Sequence, residues 1–356
     1  GMSGAFAAAF ILPLLLEFTQ IYLATVGLDL IVGISAIALA TTVLRPREPT
    51  QTGAPHPGES DDPTPAPQDQ GPWYLPIPAW MIAAIALVSG VAALALEVLW
   101  TRMFAQVLHN SVYTYATVLI LFLAALACGS LAASALARTS LKPVTTMAAL
   151  IAVGGAAVGT TPWMFDALTD GLGYVGGGDA GFHRYMLLVF AQAGLIVLPA
   201  GVLIGIVLPY LFRIVAEAGL PPGLALGRLI AINTVGGIIG AAGAGFLLIR
   251  LIGLWESILA IALGYLLLAV AVLLAGRIRR WRPWLPVAAS GLVLGALVID
   301  GFPERIRLSP GEELVAMREG SHATAAVVQR GGHQLIRVNN FYRLGGTGAL
   351  ESERNQ

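Results

Sequence analysis

The chain is 356 residues long, 57% hydrophobic and only 11% charged, with a mean hydropathy of +0.79. An ordinary soluble domain carries about 25% charged residues, so a water-soluble globule is excluded as the main body. Lys plus Arg and Asp plus Glu both number 20, which excludes a broad basic surface for nucleic acid, and the single cysteine, Cys128, excludes a disulfide framework or a Cys-based metal centre.

Backbone polar groups find no water in hydrocarbon, so each crossing must be a helix of about 20 apolar residues. In chain order, the block from Gly4 to Leu44 is long enough for two helices, broken near Glu17, Thr19 and Gln20. It lacks the basic start and small-residue cleavage site of a secretory signal, so residues 1–44 read as membrane helices of the mature protein. Arg45 to Ile77 is rich in proline, glycine and acidic residues and reads as a disordered linker, because it cannot bury enough apolar area to offset its chain entropy. Residues 78–300 read as a helical bundle with spans at Pro78–Leu96, Val112–Ala137, Val144–Pro162, Tyr185–Phe212, Leu226–Ile249 and Trp255–Gly276. Leu285–Ile299 is short enough to be either a crossing or a re-entrant piece.

Residues 301–356 form a soluble tail in which apolar residues alternate on either side of Gly331 and Gly332, the pattern of a β-hairpin with a tight glycine turn. The fold class expected is therefore an all-α polytopic membrane protein of about eight or nine helices with a small C-terminal β-hairpin subdomain. Arg45, Arg47, Arg138, Lys142, Arg213 and the cluster Arg277, Arg279, Arg280, Arg282 fall in every second loop, which assigns those loops to the cytoplasm. The loop from Trp163 to Arg184, with Asp166, Asp170 and Asp179, then lies outside.

Sliding the sequence on itself by about 236 positions aligns GAFAAAFILPLLLEFTQIYLA from Gly4 with GAAGAGFLLIRLIGLWESILA from Gly240 without a gap. The first block would then copy the closing pair of a six-helix unit. Parallel repeats of about six helices build the major facilitator fold, and on that reading the chain begins late in the first half of such a repeat.

LEVLWTR at Leu96–Arg102, LPAGVLIGIVLPYL from Leu198 and GRLIAINTVGGIIGAAGAGFLLI from Gly227, taken in this order, resemble the membrane portion of proteins that fuse a facilitator-like domain to a spermidine-synthase-like domain. The tail from Arg318 resembles the strand subdomain that opens spermidine synthases. Where that family has a Leu-Asp-Gly segment followed by a Gln near its ligands, this chain has Val338, Asn339, Asn340 and then Arg343. The resemblance implies aminopropyl transfer from decarboxylated S-adenosylmethionine, a cosubstrate whose Gly-rich site would follow the strand subdomain. The GGGD run at Gly176–Asp179 matches the letters of that site but has no strand before it and reads as a loop. As given, the chain is expected to be catalytically incomplete, with no catalytic residues and no cofactor of its own.

Intramembrane charge is costly, so each polar residue in a span is a candidate. Glu97, Trp100 and Arg102 form either a substrate contact or an interfacial cap, and His109, Tyr113 and Tyr115 follow as residues that line a cavity or a wet loop. A cationic polyamine suits Glu97 and the aromatic rings by charge and cation–π attraction. Asn233 lies deep in its span and can bond across helices. The pairs Gly155 and Gly159, Gly201 and Gly205, and Gly236 and Gly240 have the small-residue spacing that lets helices approach closely. The five histidines show no metal-ligand spacing.

The leading expectation is the membrane-embedded portion of a spermidine-synthase-like protein in the inner cell membrane. The alternatives are a transporter or channel for a polyamine or other small cation, and a structural membrane subunit. The partners expected are the bilayer, a polyamine, and further copies or partner subunits packed on the glycine-rich faces.

Overall fold

The computed structural model describes residues 2–43, 76–108, 112–173, 175, 181–218, 222–340 and 342–347. The linker expected at 45–77, save its last two residues, lies outside them, as do His109 and Gly176–Asp179. The chain divides into two compact units, Ser3–Trp73 and a second that includes Tyr74–Gln356.

In the first unit, α1 (Met2–Phe6) passes into a π-helical turn at Ala7–Ile11, then α2 (Leu12–Leu15), a break, and α3 (Phe18–Val43). The break falls where Leu16 turns extended, and the Glu17 amide is met by Gln20 Oε1 at 3.2 Å.

The second unit begins with α4 (Ala79–Phe104), α5 (Val112–Ala137), α6 (Pro143–Gly159) and α7 (Thr161–Leu168), followed by the long α8 (Gly181–Glu217). Next come α9 (Pro222–Ala242), a π-helical segment at Gly243–Leu248, α10 (Ile249–Ile252), α11 (Leu254–Ala275) and α12 (Leu285–Asp300). Among the described residues of the chain, eight helical stretches are long and apolar enough to cross a membrane, which makes this a multi-pass membrane protein. The π-helix, short helix, break and restart of the first unit recur here in the same order, and the 236-residue offset carries Phe18 onto Leu254.

Several boundaries differ from the sequence expectation, among them those of α8, which runs beyond Tyr185–Phe212 at both ends. The fourth helix does not stop at Leu96 but runs to Phe104, and its late Arg102 finds hydrogen-bond acceptors instead of ending the span. The loop expected from Trp163 instead begins as helix, started by Pro162 in its first turn, where the missing amide costs nothing. The short stretch after Trp284 is a helix that packs on α6, so it is a full element of the bundle.

Helices pack in the pairs α4 with α9, α5 with α8 and α6 with α11. A Cβ on Gly240 would lie 2.1 Å from the Val91 carbonyl oxygen, one on Gly236 2.2 Å from that of Leu87, and one on Gly90 2.0 Å from that of Asn233, so α4 and α9 meet backbone to backbone. Gly155 faces Ala262 and Gly159 faces Leu294, while Gly201 and Gly205 abut Ala125 and Leu126. Alternation of direction gathers the ends of α4, α7, α10 and α12 and the starts of α5, α8 and α11 at one end of the bundle. Arg138, Lys142, Arg213 and Arg277–Arg282 gather at the other, where Arg213 donates to the Leu136 and Thr139 carbonyls and pairs with Glu217 at 2.7 Å.

The tail is a four-stranded antiparallel meander in the order β1 (Glu312–Glu319), β2 (Thr324–Arg330), β3 (His333–Val338), β4 (Tyr342–Gly346). Gly331 and Gly332, at φ +56 and +83, make the two-residue turn between β2 and β3, a conformation that carries the strand twist through the hairpin. The expected hairpin is thus the centre of a larger sheet.

Candidate functional site

The sheet is fastened to the end of the bundle away from the basic loops, and the fastening begins at Arg102. This residue is 5% exposed, in the last turn of α4. Its Nε donates to the Gly320 carbonyl at 3.2 Å, Nη1 to Asn339 Oδ1 at 3.4 Å and Nη2 to Thr324 Oγ1 at 2.7 Å. Asn339 answers with its own amide, which donates to the Ala105 carbonyl at 3.0 Å, and Asn340 donates to that of Gln106 at 3.3 Å. The side chains of these two asparagines thus hold the end of α4. Asn339 adopts φ +53, a left-handed conformation that asparagine tolerates better than most residues.

A second fastening lies at the break between α10 and α11. Glu319 accepts the Leu254 amide at 2.8 Å, so a carboxylate from the sheet caps the exposed N-terminus of a membrane helix. Arg305 pairs with Glu256 in the first turn of the same helix. Gly253 between them has φ +92, and a Cβ there would lie 2.7 Å from both the Glu256 and Glu319 carboxylates. Burial raises the Glu319 carboxyl above its ordinary value of 4.5, against the opposing pull of the Leu254 amide and of Arg305. Trp163 donates to the Gly301 carbonyl at 3.0 Å and stacks on Phe302, which fixes the exit of α12.

Beside Arg102 a cavity of about 380 Å³ opens between α4, α5 and the turn after β1. Glu97, Thr101 and Ala105 form one stripe of α4 along it, Val98 and Arg102 the adjacent one, and Tyr115 and Leu119 of α5 face them. Ser321 and His322, whose Oγ and Nδ1 lie 2.9 Å apart, close the side toward the sheet.

Of the residues expected to bind substrate, Glu97 and Arg102 share this cavity. Trp100 is fully enclosed within the bundle, donating to Thr161 Oγ1 at 3.3 Å with its ring edge-on to Phe122. Tyr113 stands at the start of α5, where its carbonyl accepts the Thr117 hydroxyl at 2.8 Å. Asn233 lies on α9 with its backbone against Gly90. Among the described residues no group of three or more His, Cys, Asp and Glu side chains is arranged to hold a metal ion.

Tyr115, a cavity-lining candidate from the sequence, does line the cavity, whereas sequence reasoning did not find Glu319, His322, Thr324 or Arg305 as parts of this region. Only the Asn339–Asn340 pair carried a local signal, two turn-forming residues directly after a strand. No family model, no curated protein and no solved structure matches the chain.

Proposed function

We propose that the chain is the membrane-embedded portion of a spermidine-synthase-like protein of the inner cell membrane, in which a facilitator-like bundle carries and orients the strand subdomain of an aminopropyltransferase. The reading is supported by the four-stranded sheet that directly follows the last span and is held by Arg102 and Glu319 instead of swinging free. It occupies the point in the chain at which the resembled family opens its synthase domain. The rule that basic loops stay in the cytoplasm puts the sheet on the opposite side of the membrane. The chemistry implied is transfer of an aminopropyl group from decarboxylated S-adenosylmethionine to an amine.

Immunocapture of the native protein from solubilised membranes, through the exposed hairpin tip at Arg330–His333, tests this. Labelled aminopropyl transfer from decarboxylated S-adenosylmethionine to putrescine should be retained on the captured protein. Captured, folded protein that transfers nothing contradicts the reading.

A further inference from the structure

Glu97 is a half-buried carboxylate inside a membrane-spanning helix, seven residues before its end and so about 10 Å along the axis from Phe104. Among the described residues it has no ion pair and no hydrogen bond. The guanidinium nearest in sequence, Arg102, spends each of its three nitrogens on the sheet. An unpaired charge at such a depth is costly, and residues that keep it face water or a ligand. Glu97 faces the 380 Å³ cavity, a volume within the range of small-molecule sites.

The rest of the lining limits what can sit there. Among the described residues the lining offers one carboxylate, Glu97, and one imidazole, that of His322, which are too few donors for a divalent cation. Val98, Ala105 and Leu119 give apolar walls, and the Tyr115 ring supplies a face that attracts a cation. A second positive charge at the inner end would meet Arg102. We infer that this cavity binds the protonated end of a short aliphatic amine, with its ammonium on Glu97 and its methylenes along Val98 and Leu119. The site lies between helices and sheet, and the inference holds whether or not aminopropyl transfer takes place.

The test uses the full chain in lipid nanodiscs, with n-butylammonium chloride as probe and n-butanol as its uncharged counterpart, read by calorimetry. The expected result is saturable binding of n-butylammonium, at least tenfold weaker binding of n-butanol, and at least tenfold loss of ammonium binding in Glu97→Gln. Leu119→Trp fills the cavity without touching the charge and should abolish binding while the far-ultraviolet circular dichroism and thermal midpoint stay those of the parent. Should Glu97→Gln fail to fold, Leu119→Trp decides alone. Absence of binding by the folded parent, equal binding of the alcohol, or unchanged binding in a folded variant overturns the inference.

Discussion

Arg102 gives Nε and both terminal nitrogens to Gly320, Asn339 and Thr324, so its charge is met by oxygens that lie more than 200 residues further along the chain. Removing it with Arg102→Ala should cost the docked sheet about 3 kcal/mol, because charged hydrogen bonds are lost and buried acceptors are left open. Hydrogen exchange of the β2 amides, faster in the variant while the helices stay protected, measures this. Among the described residues Glu312 and Arg337 form the one ion pair within the sheet, at 2.9 Å with both side chains nearly fully buried. Glu312→Ala strands the Arg337 charge and should destabilise the sheet by about 3–5 kcal/mol, whereas replacing both residues with apolar ones of similar size should recover most of that loss. Chemical denaturation followed by intrinsic probes of the sheet compares the two.

Glu319 supplies a pH dependence. Its docked carboxyl holds its proton more tightly than a free one with the ordinary value of 4.5, so the docked form binds more protons than the undocked form just above that pH. Docking should therefore weaken as pH rises from about 4.5 through the raised value and level off above it. Glu319→Gln keeps an acceptor for the Leu254 amide and should flatten the slope, as read by exchange of that amide. A slope of the opposite sign would refute the assignment. None of these partnerships was legible in the sequence. Glu97 and Arg102 read there as the polar end of a span, since local pattern shows a charge but not the distant oxygens that satisfy it.

At the scale of elements, the α5 boundaries at Val112 and Ala137 coincide with the uninterrupted apolar run, because lipid imposes helix on any such stretch. Close approach of helices was legible in the same way, through glycines at four-residue spacing. Gly240 places α9 against the Val91 carbonyl, where any side chain would collide with backbone. Gly240→Val should force the pair apart at a cost of about 1–3 kcal/mol or more, seen as a lower thermal midpoint in detergent, while Gly243→Ala at the start of the following π-helical segment, with nothing within 4 Å, should be nearly silent. Beyond the reach of composition was the π-helix followed by a break, which occurs at Ala7–Ile11 and again at Gly243–Leu248. The aligned segments are identical at eight positions, and each unit restarts its long helix at the corresponding residue. In the second unit the freed amide is capped by Glu319, and in the first the Gln20 side chain meets the Glu17 amide. One local backbone solution is thus completed by different side chains.

For the whole molecule, the charge distribution and the path of the chain agree. Seven of the eight candidate spans belong to the second unit, and α12, whose length left its status open in the sequence, brings the chain to the end remote from Arg277–Arg282 before the sheet begins. The central claim is a lipid-embedded bundle that holds a strand subdomain on the membrane face opposite its basic loops. The direct measurement is labelling of intact cells with a membrane-impermeant maleimide, in a background where Cys128 is replaced by serine. A cysteine at Arg330, on the exposed hairpin, should react from outside, and one at Arg279 should react only after the membrane is opened. Reaction of the Arg279 position in intact cells with protection of Arg330 would contradict the account.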